Sequence, residues 1–315
     1  MTLYYGDGTW IGIGKELAWG APVARAAWSP AMPGTDLRAT PDRRIVPHLI
    51  SGGSPMNPQR SHVLQVAAGG KVVVLARYRG IGLLLEAMLG AKATTGAGPY
   101  THTFTLGDPR VLPSYTLELI RGDSGLAEVL AGCKAQRWSL SFTAADYAQL
   151  SLDIMAKSSA GRAAAGTPTE GDDVPILGSH LGVFSWNGIS GALRSLEIMG
   201  DNKLASRPAH GSLYTAEPQP TDLREITARL TLDVDDDYYE AYQDGDQADA
   251  TISAAGTGND AAVITLHNAL VKSVSDPIQN HGIISQTVEL QMFSDGTDHG
   301  ISIALTNDDA AYDTN

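Results

Sequence analysis

A short glycine-rich stretch near the start of the chain is the first candidate for chemistry. Gly12-Ile13-Gly14-Lys15 contains the glycines and the lysine of a phosphate-binding loop. That loop requires two glycines flanking four residues, followed by Lys and then Ser or Thr, between a strand and a helix. Here Glu16 follows Lys15, so the sequence does not predict nucleotide binding.

A second candidate is an acidic cluster that consists of Asp233, Asp235, Asp236 and Asp237. Carboxylates at alternating positions suit Ca²⁺, but an EF-hand loop needs Gly at its sixth position and Glu at its twelfth. Tyr238 and Asp244 occupy those positions. Carboxylates also favour the first turn of a helix, so we interpret the cluster as acidic surface before a short helix, with Ca²⁺ binding as the alternative.

The remaining residues with reactive side chains do not form a recognisable site. The eight histidines are dispersed, without a metal-binding spacing such as H-x-x-x-H. Cys133 is the only cysteine, so neither an internal disulfide nor a multi-thiolate metal site can form. A Gly-x-Ser-x-Gly nucleophile motif is absent. We therefore predict a protein that is not an enzyme and has no catalytic, cofactor-binding or metal-binding residues.

Composition and charge favour a self-assembling protein. Charged residues make up 18% of the 315 residues, below the usual share of about 25%. Residues 1–200 contain 17 Lys/Arg and 15 Asp/Glu, whereas residues 201–315 contain 5 and 20. Such an acidic surface does not hold DNA, because affinity for phosphate comes from Lys and Arg. Without a signal peptide or a long apolar segment, we expect a soluble product made in a cytoplasm.

The order of predicted elements indicates a mainly β protein with two domains. Alternating strands fill most of residues 61–160, with a short helix at 79–89 and a hairpin whose turn is Thr143–Asp146. A linker poor in apolar side chains is expected at 161–175. Residues 176–315 repeat the order strand, helix (235–243), strand and hairpin, so we suspect a duplication. The extra length of the first copy is expected in the Gly-rich segment 91–110.

Residues 1–60 are predicted to form an extended N-terminal arm and loop. Seven prolines fall there, and Pro removes a strand hydrogen bond and disfavours helix before it. The arm also carries Trp10, Trp19 and Trp28. Because aromatic residues are enriched at interfaces, these three are candidate assembly contacts, and packing of the arm on its own domain is the alternative.

Several stretches, taken in order, resemble a known protein family. Gly14-Lys15-Glu16-Leu17-Ala18-Trp19-Gly20-Ala21-Pro22-Val23 is similar to the "K-E-x-x-x-G-T-P-V" opening of tail tube and major tail proteins of long-tailed, siphovirus-like phages, with Ala21 in place of Thr. Four further segments of this chain are similar to stretches of that family: Leu84–Gly90, Tyr100–Phe104, Leu112–Glu118 and Gly132–Lys134. The resemblance covers residues 14–155.

The resemblance implies a plan for fold, partners and function. It implies two tandem β-sandwich or half-barrel domains, each with one short helix, that join edge to edge into a ring. Rings then stack into a hollow tail tube, a virion structure assembled in the host cytoplasm. Double-stranded DNA passes through its acidic lumen during ejection without specific binding, and no membrane is involved. Implied partners are other copies of the chain, the tape measure, the tail terminator and the distal tail protein.

The number of copies and the exact structural role stay open from sequence. Duplicated domains favour a trimeric pseudo-hexamer, whereas a single repeat would need six chains. The alternatives to a tube subunit are another β-sandwich tail component, such as a tail terminator or surface module, and a carbohydrate-binding β protein. The last would show paired carboxylates and exposed aromatic residues in a cleft.

Overall fold

The protein is mainly β, as predicted. The structure is a computed structural model that describes residues 8–45, 61–122, 125–168, 176–178, 182–189, 193–234, 236–275, 284–294 and 300–310. The described residues form nineteen β-strands and two α-helices. Seventeen of the strands are linked by backbone pairing, and the other two form a separate hairpin.

The elements up to residue 164 make up the first half of the fold. They are β1 (Trp10–Lys15), β2 (Ala27–Pro30), β3 (Asp36–Ile45), β4 (Ser61–Leu75), α1 (Gly82–Leu89), β5 (Gly90–Thr95), β6 (Tyr100–Leu106), β7 (Tyr115–Ile120), β8 (Leu126–Thr143), β9 (Gln149–Ala156) and β10 (Ser158–Ala164). A single 3-10 turn, Pro109–Val111, precedes β7.

The elements after residue 176 make up the second half. They are β11 (Gly182–Trp186), β12 (Leu193–Asp201), β13 (Leu204–Pro208), β14 (Thr215–Pro220), β15 (Glu225–Asp233), α2 (Asp236–Asp244), β16 (Gln247–Ala255), β17 (Ala261–Ser275), β18 (Ser285–Gln291) and β19 (Ile301–Asn307). All pairings between strands are antiparallel.

The long strand β8 belongs to two sheets of the first half. Its residues 126–133 pair with β7 and β10, and its residues 134–141 pair with β9. Gly132, with a φ of 69°, lies between the two parts, a conformation that glycine adopts without steric cost. One sheet therefore runs β2–β1–β7–β8–β10 and the other β3–β4–β9–β8.

The second half repeats this pairing order. Strand β17 is shared between a sheet β11–β16–β17–β19 and a sheet β12–β15–β18–β17. Asn268, with a φ of 50°, lies between its two parts. The pairings of seven first-half strands with one another thus all have counterparts in the second half. In corresponding order, the strands are β1, β3, β4, β7, β8, β9 and β10, and β11, β12, β15, β16, β17, β18 and β19.

A direct strand pairing joins the two halves. Residues 137–143 of β8 pair with residues 195–201 of β12, and we refer to this pairing as the intrachain joint. It merges one sheet of each half into an eight-stranded sheet in the order β3–β4–β9–β8–β12–β15–β18–β17.

The hairpin β5–β6 crosses from the first half to the second. Strand β6 pairs with β19, which places the hairpin at the edge of the sheet that contains β17. In the second half, α2 runs directly into β16 without such a hairpin. The first half therefore contains an extra hairpin at residues 90–106, which overlaps the Gly-rich segment 91–110.

One hydrophobic core spans both halves. Helix α1 is buried along its whole length and ends at Gly90, whose φ is 103° and whose N–H donates to the Glu86 carbonyl, as a left-handed C-cap does. Helix α2 buries only Tyr238 and Ala241. The Tyr238 ring stacks on Trp186 with 5.6 Å between ring centroids.

Two segments predicted to be irregular contain strands instead. The N-terminal segment forms β1, β2 and β3, and Ile11, Ile13 and Leu37 lie in the core. Pro41 fits in β3 because β3 is an edge strand. In the segment expected to be a linker, β10 pairs with β8, because hydrogen bonding to a neighbour needs no apolar side chains. Residues 169–175 lie outside the described part.

Candidate assembly surface

The eight-stranded sheet has one apolar face and one polar face. Successive strand residues point to opposite sides, and β9, β12, β15 and β18 alternate between buried and more exposed positions. Leu152, Ile198 and Leu230 are among the core-facing residues. The opposite face, named here the polar face, is made up of exposed and half-buried positions, except at Lys134, which Glu217 of β14 covers.

The polar face carries acidic and basic side chains in nearly equal numbers. Its carboxylates are Asp36, Asp153, Glu197, Asp201, Glu225, Asp233 and Glu289. Its exposed basic residues are Arg38, Lys71, Arg137 and Arg229. The same side also carries Asp42 and Arg44 of β3, and Arg194 and Lys203 pair with its carboxylates, so eight carboxylates face seven basic groups. The net charge is −1, not counting the buried Lys134 and its partner Glu217. Five of the seven basic groups are ion-paired with a carboxylate, so few are free to bind nucleic acid phosphates.

One ion pair on the polar face bridges the intrachain joint. Arg137 lies 3.2 Å from the Asp201 carboxylate across the joint, and within the second half the Lys203 ammonium lies 3.1 Å from Glu225. Partial burial of Asp201 opposes its ionisation, but hydrogen bonds from the Lys203 N–H and from Arg137 outweigh it, so the pKa of Asp201 lies below its usual value. An open cavity of about 380 Å³ lies over this region. The Arg137–Asp201 pair adds to the strand pairing that holds the two halves in register.

Both outer edges of the eight-stranded sheet lack a strand partner among the described residues. On one side, β3 pairs only with β4. On the other, residues 271–275 of β17 pair only with β18. An unpaired edge presents N–H and C=O groups that can pair with another chain, so these edges are candidate sites of assembly.

The carboxylate of Glu16 organises the N-terminal segment. It is buried and accepts four hydrogen bonds: from the backbone N–H groups of Gly20 and Gly132, each at 2.8 Å, and from the hydroxyls of Ser114 and Thr116, each at 2.9 Å. We refer to these five residues as the Glu16 cluster. Both oxygens accept two bonds, so the buried charge is well satisfied.

Neighbouring residues extend the Glu16 cluster. Lys15 forms an ion pair with Glu86 of α1 at 2.8 Å, and the Thr116 hydroxyl accepts a bond from the Val23 N–H. Sequence reasoning did not identify these contacts. The one sequence feature that marks the residues in contact is the family resemblance. They lie in the stretches that carry it: Gly14–Val23, Leu84–Gly90, Leu112–Glu118 and Gly132–Lys134.

The three candidate assembly tryptophans all pack on their own half of the fold. Trp28 is buried in a small cluster with Ile120 and Ala127, and Trp10 packs against it. The Trp19 indole N–H donates to the Gly132 carbonyl, and the Lys157 ammonium lies 4.6 Å from its ring centroid. Trp10 and Trp19 remain partly exposed, and a role for them between copies stays a prediction.

The acidic cluster is divided between two elements. Asp233 ends β15 and forms an ion pair with Arg194, whereas Asp236 and Asp237 lie in the first turn of α2, where a carboxylate is favoured by the helix dipole. Asp235 lies outside the described residues. Within the described part of the chain, no group of three or more His, Cys, Asp or Glu side chains is placed to hold a metal ion.

Cys133, His102 and His267 have structural surroundings. Cys133 is buried, and burial raises the pKa of its thiol well above the usual value. His102 lies between Thr94 and the Asp309 carbonyl, and His267 between Asp249 and Ser302. None of the helices in the described residues has the length and apolar character needed to cross a bilayer.

A second cavity, of about 680 Å³, lies between the two halves. Arg224 lines it and donates a hydrogen bond of 2.7 Å to the Gly107 carbonyl. Burial lowers the pKa of Arg224 to about 10, with the charge of Asp108 acting in the opposite direction. The contact fastens the segment after β6 to the segment before β15.

Comparison with known proteins agrees with this architecture. No curated protein matches the chain. The model of one family, described as phage tail tube protein, matches residues 6–292, which includes both halves and the intrachain joint. The match extends well beyond residues 14–155, where the sequence motifs lie. The chain therefore belongs to the phage tail tube protein family.

Proposed function

We propose that the chain polymerises as stacked rings into the hollow tail tube of a long-tailed phage and has no catalytic activity. The observation that carries this proposal is the eight-stranded sheet, which has one polar face and two edges without a strand partner among the described residues. Closing such a sheet on copies of itself removes both edges. It also turns the polar face towards a water-filled interior.

The two halves are proposed to be duplicated tube domains. Their strands pair in the same order, and each half has one helix at the same place in that order. The structure favours including β1, β2 and β3 in the first domain, because Ile11, Ile13 and Leu37 contribute to the core. The second domain corresponds to residues 176–315.

A ring of three copies is favoured over six. Each chain supplies eight strands to the sheet, so three chains supply 24. With strands about 4.8 Å apart and tilted by about 40°, a barrel of 24 strands has a backbone diameter of about 48 Å. Six chains would double this value. The intrachain joint already places two domains side by side, and three such pairs give a pseudo-hexamer.

The interior is proposed to be an acidic conduit for double-stranded DNA. The polar face has a net charge of −1 per chain, most of its basic groups are ion-paired, and its carboxylates recur around the lumen of a three-chain ring. Like charges repel the DNA backbone, and few Lys or Arg are available to displace its counterions. DNA would thus pass during ejection without being held.

The location and partners follow from the same proposal. The protein is placed in the virion tail after assembly in the host cytoplasm. Its main partner is itself, and the ends of the tube are proposed to contact the tail terminator and the distal tail protein. The tape measure protein is proposed as a further partner.

Negative-stain electron microscopy of the purified protein tests the proposal. We expect hollow tubes, or rings at low concentration, of uniform diameter. A diameter consistent with a barrel of about 48 Å supports three copies, and one near twice that supports six. A monomer that stays unassembled over a wide range of concentration and salt would contradict a tube-forming role.

A further inference from the structure

We propose that the intrachain joint between β8 and β12 is repeated between two copies of the chain, with β17 of one copy pairing with β3 of the next. The inference rests on the proposed ring and adds the register of the contact, residue by residue. The intrachain joint serves as the template, because β17 corresponds to β8 and β3 corresponds to β12.

The correspondence of β8 and β17 is fixed by their irregularities. Both pair with the following strand through a bulge, between Ala135 and Arg137 in β8 and between Val271 and Ser273 in β17. These positions differ by 136 residues. The left-handed residues Gly132 and Asn268 differ by the same number. A β-bulge and a left-handed residue at matching places define the alignment without reference to side-chain similarity.

The correspondence of β3 and β12 follows from the strands beside them. Leu152 pairs with Val72, and its counterpart Val288 pairs with Leu230. Strand β3 pairs with β4 so that Asp36 lies opposite Lys71, and β12 pairs with β15 so that Glu197 lies opposite Arg229. Residues of β3 and β12 therefore differ by 161 positions.

Transfer of the intrachain register gives three described pairs between copies. Gly200 lies opposite Trp138 and Met199 opposite Ser139, so Ala39 is placed opposite Val274 and Arg38 opposite Ser275. The pair Asp201 and Arg137 places Thr40 opposite Ser273.

The backbone groups of β3 point the way this register requires. The Leu37 carbonyl accepts a hydrogen bond of 2.7 Å from Arg121, outside the sheet. The Val66 N–H, opposite Pro41, donates away from β3 to the Leu213 carbonyl. Outward groups recur every second residue, so the N–H and C=O of Ala39 face the free edge. Pro41 has no N–H to offer there, which sets an end to the joint.

The backbone groups of β17 are oriented to match. The Met292 N–H, just after β18, donates to the Ile226 carbonyl of β15 and therefore points away from β17. By the same alternation, Val288 bonds towards β15, and its partner Val274 directs its N–H and C=O to the free edge of β17. Ala39 and Val274 can therefore exchange two hydrogen bonds.

Side-chain size also agrees with the register. At the intrachain joint the small residue Gly200 faces the large Trp138, and a Cβ on Gly200 would lie 2.2 Å from the indole. At the proposed joint the small residue Ala39 again lies on the β3 side and the larger Val274 on the β17 side. Because Val274 is smaller than Trp138, it leaves room for the methyl group that Ala39 has and Gly200 lacks.

Cysteine cross-linking tests the register in assembled protein. Arg38 and Ser275 form a non-hydrogen-bonded pair, with an expected Cα separation of about 4.5 Å, inside the range for a disulfide. The variant Arg38→Cys/Ser275→Cys is assembled under reducing conditions and then oxidised. We expect covalent dimers and trimers on a non-reducing gel, with the ladder ending at a closed trimer, and the same products from Thr40→Cys/Ser273→Cys.

Two matched variants control for geometry and register. Ser139→Cys/Met199→Cys places the same pair at the intrachain joint, and we expect an internal disulfide without change in chain number. Asp42→Cys/Ser275→Cys shifts one partner by four residues, about 14 Å along the strand, and should stay monomeric on the gel. Cys133 is retained because it is buried.

The outcomes separate the register from the proposed function. Tubes that form without cross-links at either pair, while the Ser139/Met199 control oxidises, would overturn the register and leave the tube intact. Cross-linking of the Asp42 control to the same extent would also overturn it. Absence of any assembly by the wild-type protein would instead count against the proposed function. If the variants fail to fold, a reconstruction of the wild-type tube shows directly whether Ala39 lies opposite Val274.

Discussion

Removal of the Glu16 carboxylate is expected to destabilise the fold strongly. The carboxylate accepts four hydrogen bonds in a buried position. In Glu16→Ala the hydroxyls of Ser114 and Thr116 can turn to other partners, but the N–H groups of Gly20 and Gly132 lose their acceptor. An unsatisfied buried group costs about 1–3 kcal/mol, and a lost cavity-filling side chain adds to this. We expect the free energy of unfolding to fall by about 3–5 kcal/mol.

The variant Glu16→Gln separates charge from shape. Its amide oxygen can keep two of the four bonds, but its NH₂ group would face the Gly20 N–H or the Gly132 N–H, so that two donors meet. We expect a loss of about 1–3 kcal/mol, between wild type and Glu16→Ala. The control is Glu240→Gln on the exposed side of α2, which should change stability by less than about 0.5 kcal/mol.

Urea unfolding at low protein concentration measures these differences. The transition is followed by tryptophan fluorescence, and its midpoint must not depend on protein concentration, so that assembly does not contribute. If the free energy of unfolding of Glu16→Ala lies within about 0.5 kcal/mol of that of the control, the Glu16 cluster is not what holds the N-terminal segment in place.

Three further predictions concern the joints. Gly200→Ala should destabilise the fold by about 1–3 kcal/mol through overpacking against Trp138, as measured by urea unfolding; an unchanged midpoint would mean that the intrachain joint relaxes freely. Ala39→Pro should fold with a nearly unchanged far-UV spectrum but fail to form tubes in electron micrographs, because it removes an outward N–H at the edge of β3; tubes of normal length would refute the use of this edge. Since the pKa of Asp201 is lowered in the folded state, its contribution to stability is present above the unfolded pKa near 3.8 and is lost as pH falls through the folded pKa. Wild type should therefore lose more stability than Asp201→Asn between pH 7 and pH 3, and equal losses would contradict this.

Elements defined by local signals could be predicted from sequence. Helix α1 has apolar residues at helical spacing and Gly90 as its C-cap, and the turn after β8 has a bond from the Asp146 N–H to the Thr143 carbonyl. Helix α2 was predicted within one residue at each end. In each case, residues close in sequence determine the geometry.

Elements stabilised by distant partners could not be predicted. Strands β1 and β3 lie in a segment rich in Pro and Gly, and their order comes from pairing with β7 and β4. Strand β10 has little apolar character and pairs with β8. Three partners of Glu16 lie 98 to 116 positions away, so the cluster depends on a tertiary fold that a single sequence does not reveal. The motifs marked its residues without showing that they meet.

The most direct test of the account is a helical reconstruction of assembled tubes by electron cryomicroscopy. We predict three copies per ring, 24 strands in one continuous inner barrel, and Glu197 and Asp153 directed into the lumen. Six copies per ring, an inner barrel interrupted between β17 and β3, or a polar face on the outside of the tube would contradict the account.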